Sequence, residues 1–387
     1  MKRILVCLMA LGMVAALLGC PKPETRQKQG EMDTPEHHVT MANRMIRERD
    51  DWKGAHAEYQ LALSLKPDFV PALIGDAVYF AHEKDAQKAE ELRESAWKNA
   101  KGDPKKEMVY YIGVIQFYTY LKGEEWLGKA EEAFKKAGEI DANNEKLQFF
   151  MAKAYVVALE FDKAESLLKK VVGMNGDYRE DADQLWSKVQ KIVRARPGSV
   201  AAKKIALVDK ITKADVAALF VEEMHLPELW QKRGIKKWEP PAFQTPDQAA
   251  RAAALQAGPT VTDIAGHPLQ SDIQEVLKLG IRGLEVDPSG KFYPDKPVTR
   301  AEYAVMLEDI LIKVLNEPGL ASRYAGESDS KFHDMRTDHW SYNAAVVVTS
   351  RGMLPPDMEG NFKPMDPVSG ADALLVIRQM MDYLKIG

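Results

Sequence analysis

Four alanines recur along the first half of the chain, and their spacing limits the fold more than any other feature of the sequence. Ala55, Ala89, Ala130 and Ala164 lie at matching places in four similar segments and are separated by 34, 41 and 34 residues. Around them apolar residues recur at the spacing of an amphipathic helix, while Gly and Pro are sparse. A helical unit of this length cannot bury its apolar face alone, so we expect neighbouring units to stack into a solenoid.

The 34-residue period resembles the tetratricopeptide repeat, which is a pair of packed helices. Ala55, Ala62 and Pro67 match the spacing of that family's second helix, and Ala77 and Ala152 match a small position in its first helix. The resemblance implies a solenoid of four repeats over residues 40–196, with a concave surface that binds peptides or protein segments. The longer interval before Ala130 predicts an extended helix or loop around residues 122–125.

An aromatic stretch, "VYYIGVIQFYTYL", lies at residues 109–121 within these repeats. One interpretation places its rings in a groove that binds a protein partner. The other places them in the core, since aromatic residues at helical spacing commonly fill the space between helices. Both interpretations stay open from the sequence. The candidate groove residues are Tyr110, Tyr111, Phe117 and Tyr118.

Two segments in the second half resemble each other closely, at residues 260–316 and 332–385. Each opens with Asp, continues with His, and has a helix that ends at Gly, a Phe-x-Pro loop and a second helix that begins at Thr or Ser. Gly suits a helix C-terminus, and Thr and Ser suit an N-cap. The matched pairs are Asp263 and Asp334, His267 and His339, Gly280 and Gly352, Phe292 and Phe362, and Thr299 and Ser369.

This pattern resembles the S-layer homology repeat, whose form is F-x-D, H-W, a helix ending in Gly, G-x-F-x-P and then T-R-A-E. The resemblance implies a compact, pseudo-threefold domain of three repeats, here over residues 197–387. The first copy is partial and covers residues 200–226, where "TKAD" matches T-R-A-E but no G-x-F-x-P loop precedes it. The helix before Pro197 is a candidate for the missing first helix. Residues 227–246 remain unassigned. The predicted fold class of the whole chain is all-α.

A cation in the first turn of a predicted helix raises the question of function. Arg300 follows the cap Thr299, although the helix dipole disfavours a cation there by about 0.3–1 kcal/mol. The resemblance implies that this basic position helps to form grooves for an anionic glycan, which places Lys213 and Arg300 there. Trp340, in the H-W position, is expected to stack on a sugar face. A surface salt bridge is the other explanation of Arg300 and stays open.

The third repeat departs from the pattern at this same position. Gly370 stands where the other two repeats have a cation. At most two of the three grooves are therefore expected to be basic.

The N-terminus has the plan of a secretory signal peptide. "MKR" precedes an apolar run and then "LLGC", which resembles the lipobox of bacterial lipoproteins. The run is shorter than the ~20 residues that a membrane-spanning helix needs. We expect cleavage after residue 19, lipidation of Cys20, and a flexible tether over residues 20–39. Since Pro21 rather than Asp follows the Cys, the resemblance implies the outer membrane, with the protein facing the periplasm.

The remaining observations narrow the class of function. The formal net charge of -4 gives no basis for a nucleic-acid partner. No catalytic, cofactor or metal-binding motif occurs, and one of the two Cys lies in the signal peptide. We therefore expect a non-enzymatic envelope lipoprotein that binds peptidoglycan or a secondary cell-wall polymer and recruits a protein partner. The alternative is an assembly factor for the outer membrane or a secretion system, whose degenerate C-terminal repeats bind protein.

Overall fold

The structure, a computed structural model, describes residues 25–235 and 261–385. The all-α prediction is confirmed. The chain divides into two compact units, Met1–Asp183 and Gln184–Gly387. The division lies inside one helix, whereas the sequence suggested a boundary at residues 196–197. Across the described part of the chain, every helix is too short or too polar to cross a membrane.

The first unit is a series of helical hairpins. Odd-numbered helices pack on one another along the series, and each also packs on its even-numbered neighbours. Together with the helix that enters the second unit, the helices are α1 (Pro35–Arg49), α2 (Trp52–Leu65), α3 (Val70–His82), α4 (Ala86–Ala100), α5 (Pro104–Leu121), α6 (Trp126–Asp141), α7 (Glu145–Val157), α8 (Phe161–Met174) and α9 (Arg179–Ala195).

The repeating alanines hold these helices close together. Ala55, Ala89, Ala130 and Ala164 each lie on an even-numbered helix and are fully buried. A methyl side chain fits where closely packed helices leave little space, which explains why Ala recurs. The longer interval before Ala130 arises mainly in α5, which has 18 residues where α3 has 13.

The N-terminal segment packs on the first hairpin as far as it is described. The backbone N–H of Arg26 donates to the carbonyl of Ser64, 2.8 Å away, and the Arg26 guanidinium pairs with Asp33 at 2.6 Å. Helix α1 then begins at Pro35, within the range that the sequence assigned to a tether. The predicted signal peptide and the predicted lipidation site at Cys20 lie outside the described residues.

The second unit contains the two matched segments and the partial copy. Its first helix is the C-terminal part of α9, and a short 3-10 helix covers Pro318–Ser322. A π-helical turn, Leu219–Glu223, continues α11. The other helices are α10 (Val200–Ile205), α11 (Lys213–Ala218), α12 (Leu226–Lys232), α13 (Gln270–Leu279), α14 (Arg300–Leu315), α15 (Tyr342–Thr349) and α16 (Gly370–Leu384).

Three backbone hydrogen bonds close a triangle at the centre of this unit. Val298 N–H donates to the Ile211 carbonyl, Ile211 N–H to the Val368 carbonyl, and Val368 N–H to the Val298 carbonyl, at 2.9, 3.0 and 3.0 Å. All three residues are buried, and each immediately precedes the N-cap of α11, α14 or α16. This cyclic arrangement is the predicted pseudo-threefold relation between the repeats.

Candidate functional site

The cations singled out by the sequence lie at equivalent places in the triangle. Lys213 and Arg300 are the first residues of α11 and α14, directly after the caps Thr212 and Thr299. Both caps form a complete capping box, with Asp215 and with Glu302. The carboxylate in the first turn is favourable to the helix dipole and lies beside the unfavourable cation.

Arg300 reaches across to the loop of the next repeat. Its Nε donates to the carbonyl of Phe362 at 2.7 Å, and Nη2 donates to the carbonyl of Pro355 at 3.0 Å. The guanidinium carbon also lies 4.9 Å from the centre of the Phe362 ring. Nη2 also lies 3.4 Å from the carbonyl of Leu354, so the hydrogen bonds within the described chain use Nε and Nη2 and leave the two N–H groups of Nη1 for a ligand.

Lys213 makes the same kind of contact with the loop of the second repeat. Its Nζ lies 4.3 Å from the centre of the Phe292 ring and 3.3 Å from the carbonyl of Glu285. Phe292 and Phe362 are both fully buried, so each is a fixed platform beneath its cation. Such cation–π contacts contribute about 0.5–2 kcal/mol. The sequence analysis did not predict these cation–π contacts, although the matched Phe-x-Pro loops were a signal that could have indicated them.

Both cations are held without a carboxylate partner among residues 25–235 and 261–385. Burial lowers the pKa of Lys213, and the neighbouring ammonium of Lys296 lowers it further. Burial likewise lowers the pKa of Arg300, against the opposing effect of nearby aspartates such as Asp372. Among the described residues Arg300 donates to backbone carbonyls and forms no salt bridge, contrary to the salt-bridge explanation. A desolvated cation of this kind gains from an anion that approaches it.

Two aspartates fix the loops that carry the Phe platforms. Asp263 accepts hydrogen bonds from the backbone N–H groups of Phe292 and Tyr293, at 2.9 and 2.7 Å. Asp334 accepts from Phe362 and Lys363 in the same way, at 2.7 Å each. Burial works to raise the pKa of Asp263, but the backbone hydrogen bonds outweigh it, and the pKa is lowered. The aspartate that opens each matched segment thus positions the loop.

The third groove position is closed by the chain itself. Gly370 is the first residue of α16, and its N–H donates to the Val208 carbonyl at 2.8 Å. A Cβ atom at this position would lie closer than 3.0 Å to the carbonyl oxygen of Ile205. The segment after α10 lies where the other two repeats have a Phe-x-Pro loop. A cation is therefore excluded here by contact with the backbone.

Trp340 is apart from these contacts. Its side chain is 64% exposed, and its indole ring lies 5.7 Å from the ring of His339. The described contacts do not join Trp340 to Arg300. His339 itself lies before α15, and its Nδ1 accepts from the N–H of Ser341, the residue that precedes the helix, at 3.3 Å.

In the first unit, three of the four candidate aromatic residues surround one cavity. The cavity measures about 290 Å³ and lies between α4, α5 and α6. Phe117 instead is fully buried in the core. Sequence reasoning did not identify the residues from α4 and α6. The lining residues are Arg93, Trp97, Tyr110, Tyr111, Val114, Tyr118, Lys129, Glu132, Ala133 and Lys136.

Comparisons with known proteins agree with the pattern in the second unit. Residues 262–304 match the model of the S-layer homology domain. A 98-residue region is 30% identical to "Cell surface glycoprotein 1" of Acetivibrio thermocellus, which covers 25% of this chain and 4% of that protein. The chain thus matches only a small part of that relative. No solved structure matches the chain significantly. Both findings point to the cell envelope.

Proposed function

We propose that the second unit binds peptidoglycan or an associated anionic cell-wall polymer at the Lys213 and Arg300 positions, and that the protein is not an enzyme. The observation that carries this proposal is the pair of equivalent cations, each lying over a buried Phe ring and without a carboxylate partner in the described chain. A carboxylate or phosphate of the polymer would accept from the free N–H groups of Arg300 and from the ammonium of Lys213. The S-layer homology match supports a polymer as the ligand.

The proposal includes an anchor and a partner. The lipobox resemblance supports lipidation of Cys20, and Pro21 in place of Asp supports a position at the outer membrane, facing the periplasm. The helical hairpins of the first unit, with their period of about 34 residues, support recruitment of a protein partner through tetratricopeptide-like repeats. The polymer would then fix one unit to the wall while the other presents its partner there.

Sedimentation with purified sacculi tests polymer binding. We expect the protein to sediment with sacculi, and Lys213→Gln combined with Arg300→Gln to weaken binding at least about tenfold. Lys213→Gln alone is informative if Arg300→Gln disturbs folding, because the Lys213 side chain makes a single hydrogen bond within the described chain, at 3.3 Å. Binding to sacculi stripped of secondary polymer would identify peptidoglycan as the ligand, and loss of binding to them would identify the associated polymer.

Two ion-paired surface residues provide the matched control. Lys278 pairs with Glu275, and Arg323 pairs with Glu317, so their replacement by Gln removes the same charge elsewhere in the unit. This control variant should bind like wild type. Equal binding by wild type and the Lys213/Arg300 variant would overturn the groove assignment. Absence of any sedimentation would favour the assembly-factor alternative, in which the unit binds protein.

A further inference from the structure

One wall of the cavity between α4, α5 and α6 is formed by a cluster of aromatic rings. The ring of Trp97 lies 5.1 Å from that of Tyr110 and 5.8 Å from that of Tyr111, and the two Tyr rings are 5.4 Å apart. Tyr110 is buried, whereas Trp97 and Tyr111 are only half-buried. Ring faces and edges are therefore accessible to another flat apolar group, which would pack on them favourably.

One cation is fixed at the wall of this cavity. The Arg93 guanidinium binds Glu90 through two of its N–H groups, and Nη1 donates to the Tyr110 hydroxyl at 2.6 Å. These contacts use three of its five N–H groups, so two remain for a ligand. The Glu90 carboxylate also raises the pKa of Arg93, so this side chain stays charged.

A second cation, Lys129, gives the cavity an excess of positive charge. Lys136 is paired with the lining carboxylate Glu132 at 2.6 Å. Lys129 instead lies over the Tyr118 ring, with Nζ 5.5 Å from its centre, and has no carboxylate within ion-pair distance among the described residues. Because Arg93 and Lys136 each have a carboxylate partner, the charge left over is that of Lys129. A ligand with one negative charge would complement it.

We propose that this cavity binds an acidic peptide, taking one aromatic side chain between its rings and the adjacent carboxylate at Lys129 and Arg93. The proposal rests on the proposed recruitment of a protein partner and specifies the chemistry of the segment recognised. A peptide is favoured over a sugar by the lining. The lining contains no amide side chain, and its one carboxylate is paired with Lys136, so apart from the Tyr hydroxyls it offers few acceptors to the hydroxyl groups of a sugar.

Binding of labelled peptides to the full-length protein tests the proposal. The probes are nine-residue peptides with Phe-Glu, Phe-Gln or Ala-Glu at the centre of a Gly/Ser sequence, and fluorescence anisotropy gives the Kd. We expect the Phe-Glu peptide to bind at least about fivefold more tightly than either of the others. Lys129→Gln should abolish the preference for Glu over Gln, and Tyr111→Ala should abolish the preference for Phe over Ala.

Lys135→Gln is the matched control, because Lys135 is an exposed residue of the same helix and does not line the cavity. It should leave both preferences unchanged. Equal affinity for the Phe-Glu and Phe-Gln peptides would overturn the proposal, as would binding of glucuronic acid, measured by calorimetry, when none of the peptides binds. Capture of peptides of other patterns from a random library would overturn this inference while leaving partner recruitment intact. A library that yields no binder at all would overturn both, independently of sacculus binding.

Discussion

The position after a helix cap shows how much one side chain depends on distant residues. Arg300 is disfavoured by the dipole of its own helix, but the Phe362 carbonyl, 62 residues away, accepts from its Nε. The Phe362 ring beneath the guanidinium adds a further favourable contact. A hydrogen bond to a charged group contributes about 1.5–3 kcal/mol, which exceeds the cost of the dipole. The cation is thus stable at a site where its remaining N–H groups can bind an anion.

His38 provides a pH dependence at the scale of a single residue. Its ring bridges Asp33 at 2.8 Å and Glu58 at 2.6 Å, and so ties the N-terminal segment to α2. Burial opposes the charge on the ring, but both carboxylates outweigh it and raise the pKa of His38. The stabilisation that charged His38 gives to the folded protein is therefore complete below the ordinary His pKa of about 6.5. It is lost as the pH rises through the raised pKa of the folded state.

We expect the backbone amides of residues 26–33 to exchange faster once the pH exceeds the folded pKa of His38, as measured by NMR together with the ring titration. His38→Gln should remove this pH dependence and lower the free energy of unfolding by about 1–3 kcal/mol. The adjacent His37 forms no such bridge among the described residues, so His37→Gln serves as the control. An unchanged pH profile in His38→Gln would contradict the prediction.

Asp263 is expected to be a stabilising residue of the second unit. Asp263→Ala leaves the N–H groups of Phe292 and Tyr293 without an acceptor, which should lower the free energy of unfolding by about 2–4 kcal/mol. Since the folded pKa of Asp263 is lowered, its contribution is present above about pH 4 and is lost as the pH falls through the folded value. Urea unfolding between pH 3 and pH 7 measures both effects.

Asp338 is a suitable comparison for this measurement. It pairs with Arg336 on the surface, where both side chains are largely exposed. Asp338→Ala should change the free energy of unfolding by less than about 1 kcal/mol. The expectation for Asp263 fails if its Ala variant is as stable as that of Asp338.

At the scale of elements, a short connection between two helices decides how many grooves the triangle has. The first repeat has only a few residues between α10 and α11, whereas some twenty separate the two helices in each of the other repeats. It therefore has no Phe-x-Pro loop to carry a platform. The backbone after Ile205 takes that place beside Gly370, and the third groove is filled by the protein itself.

Gly370→Ala is expected to destabilise the second unit, although Ala ordinarily favours a helix over Gly by about 1 kcal/mol. The added Cβ would meet the Ile205 carbonyl oxygen, so α10 must move, at a cost of about 1–3 kcal/mol or more. The control is Gly138→Ala on α6, where no other atom lies within 4 Å of the new Cβ. That substitution should stabilise the first unit, as denaturant unfolding would show. A Gly370→Ala protein as stable as wild type would disprove the close approach.

At the scale of the whole molecule, the two proposed sites belong to different compact units. The cavity is formed by α4, α5 and α6, while Lys213 and Arg300 lie in the triangle. We therefore expect Tyr111→Ala to weaken peptide binding and leave sacculus binding unchanged. Lys213→Gln should have the opposite pattern. Measuring both activities on both variants checks this, and a variant that loses both would indicate a single shared site.

The sequence by itself determined the features that are local or periodic. Helical period, buried alanines, capping boxes and the matched Asp, Gly and Phe-x-Pro positions depend on near neighbours or on repetition, and each is visible in the chain. Tertiary structure alone decided which partners those residues meet. The sequence showed that the third repeat has Gly370 where the other two have a cation. Only the close approach of the Ile205 carbonyl explains why a glycine is needed there. Phe117 and Tyr118 are adjacent and similar, yet Phe117 packs in the core and Tyr118 lines a cavity, because the neighbouring helices close over Phe117 but leave open space beside Tyr118.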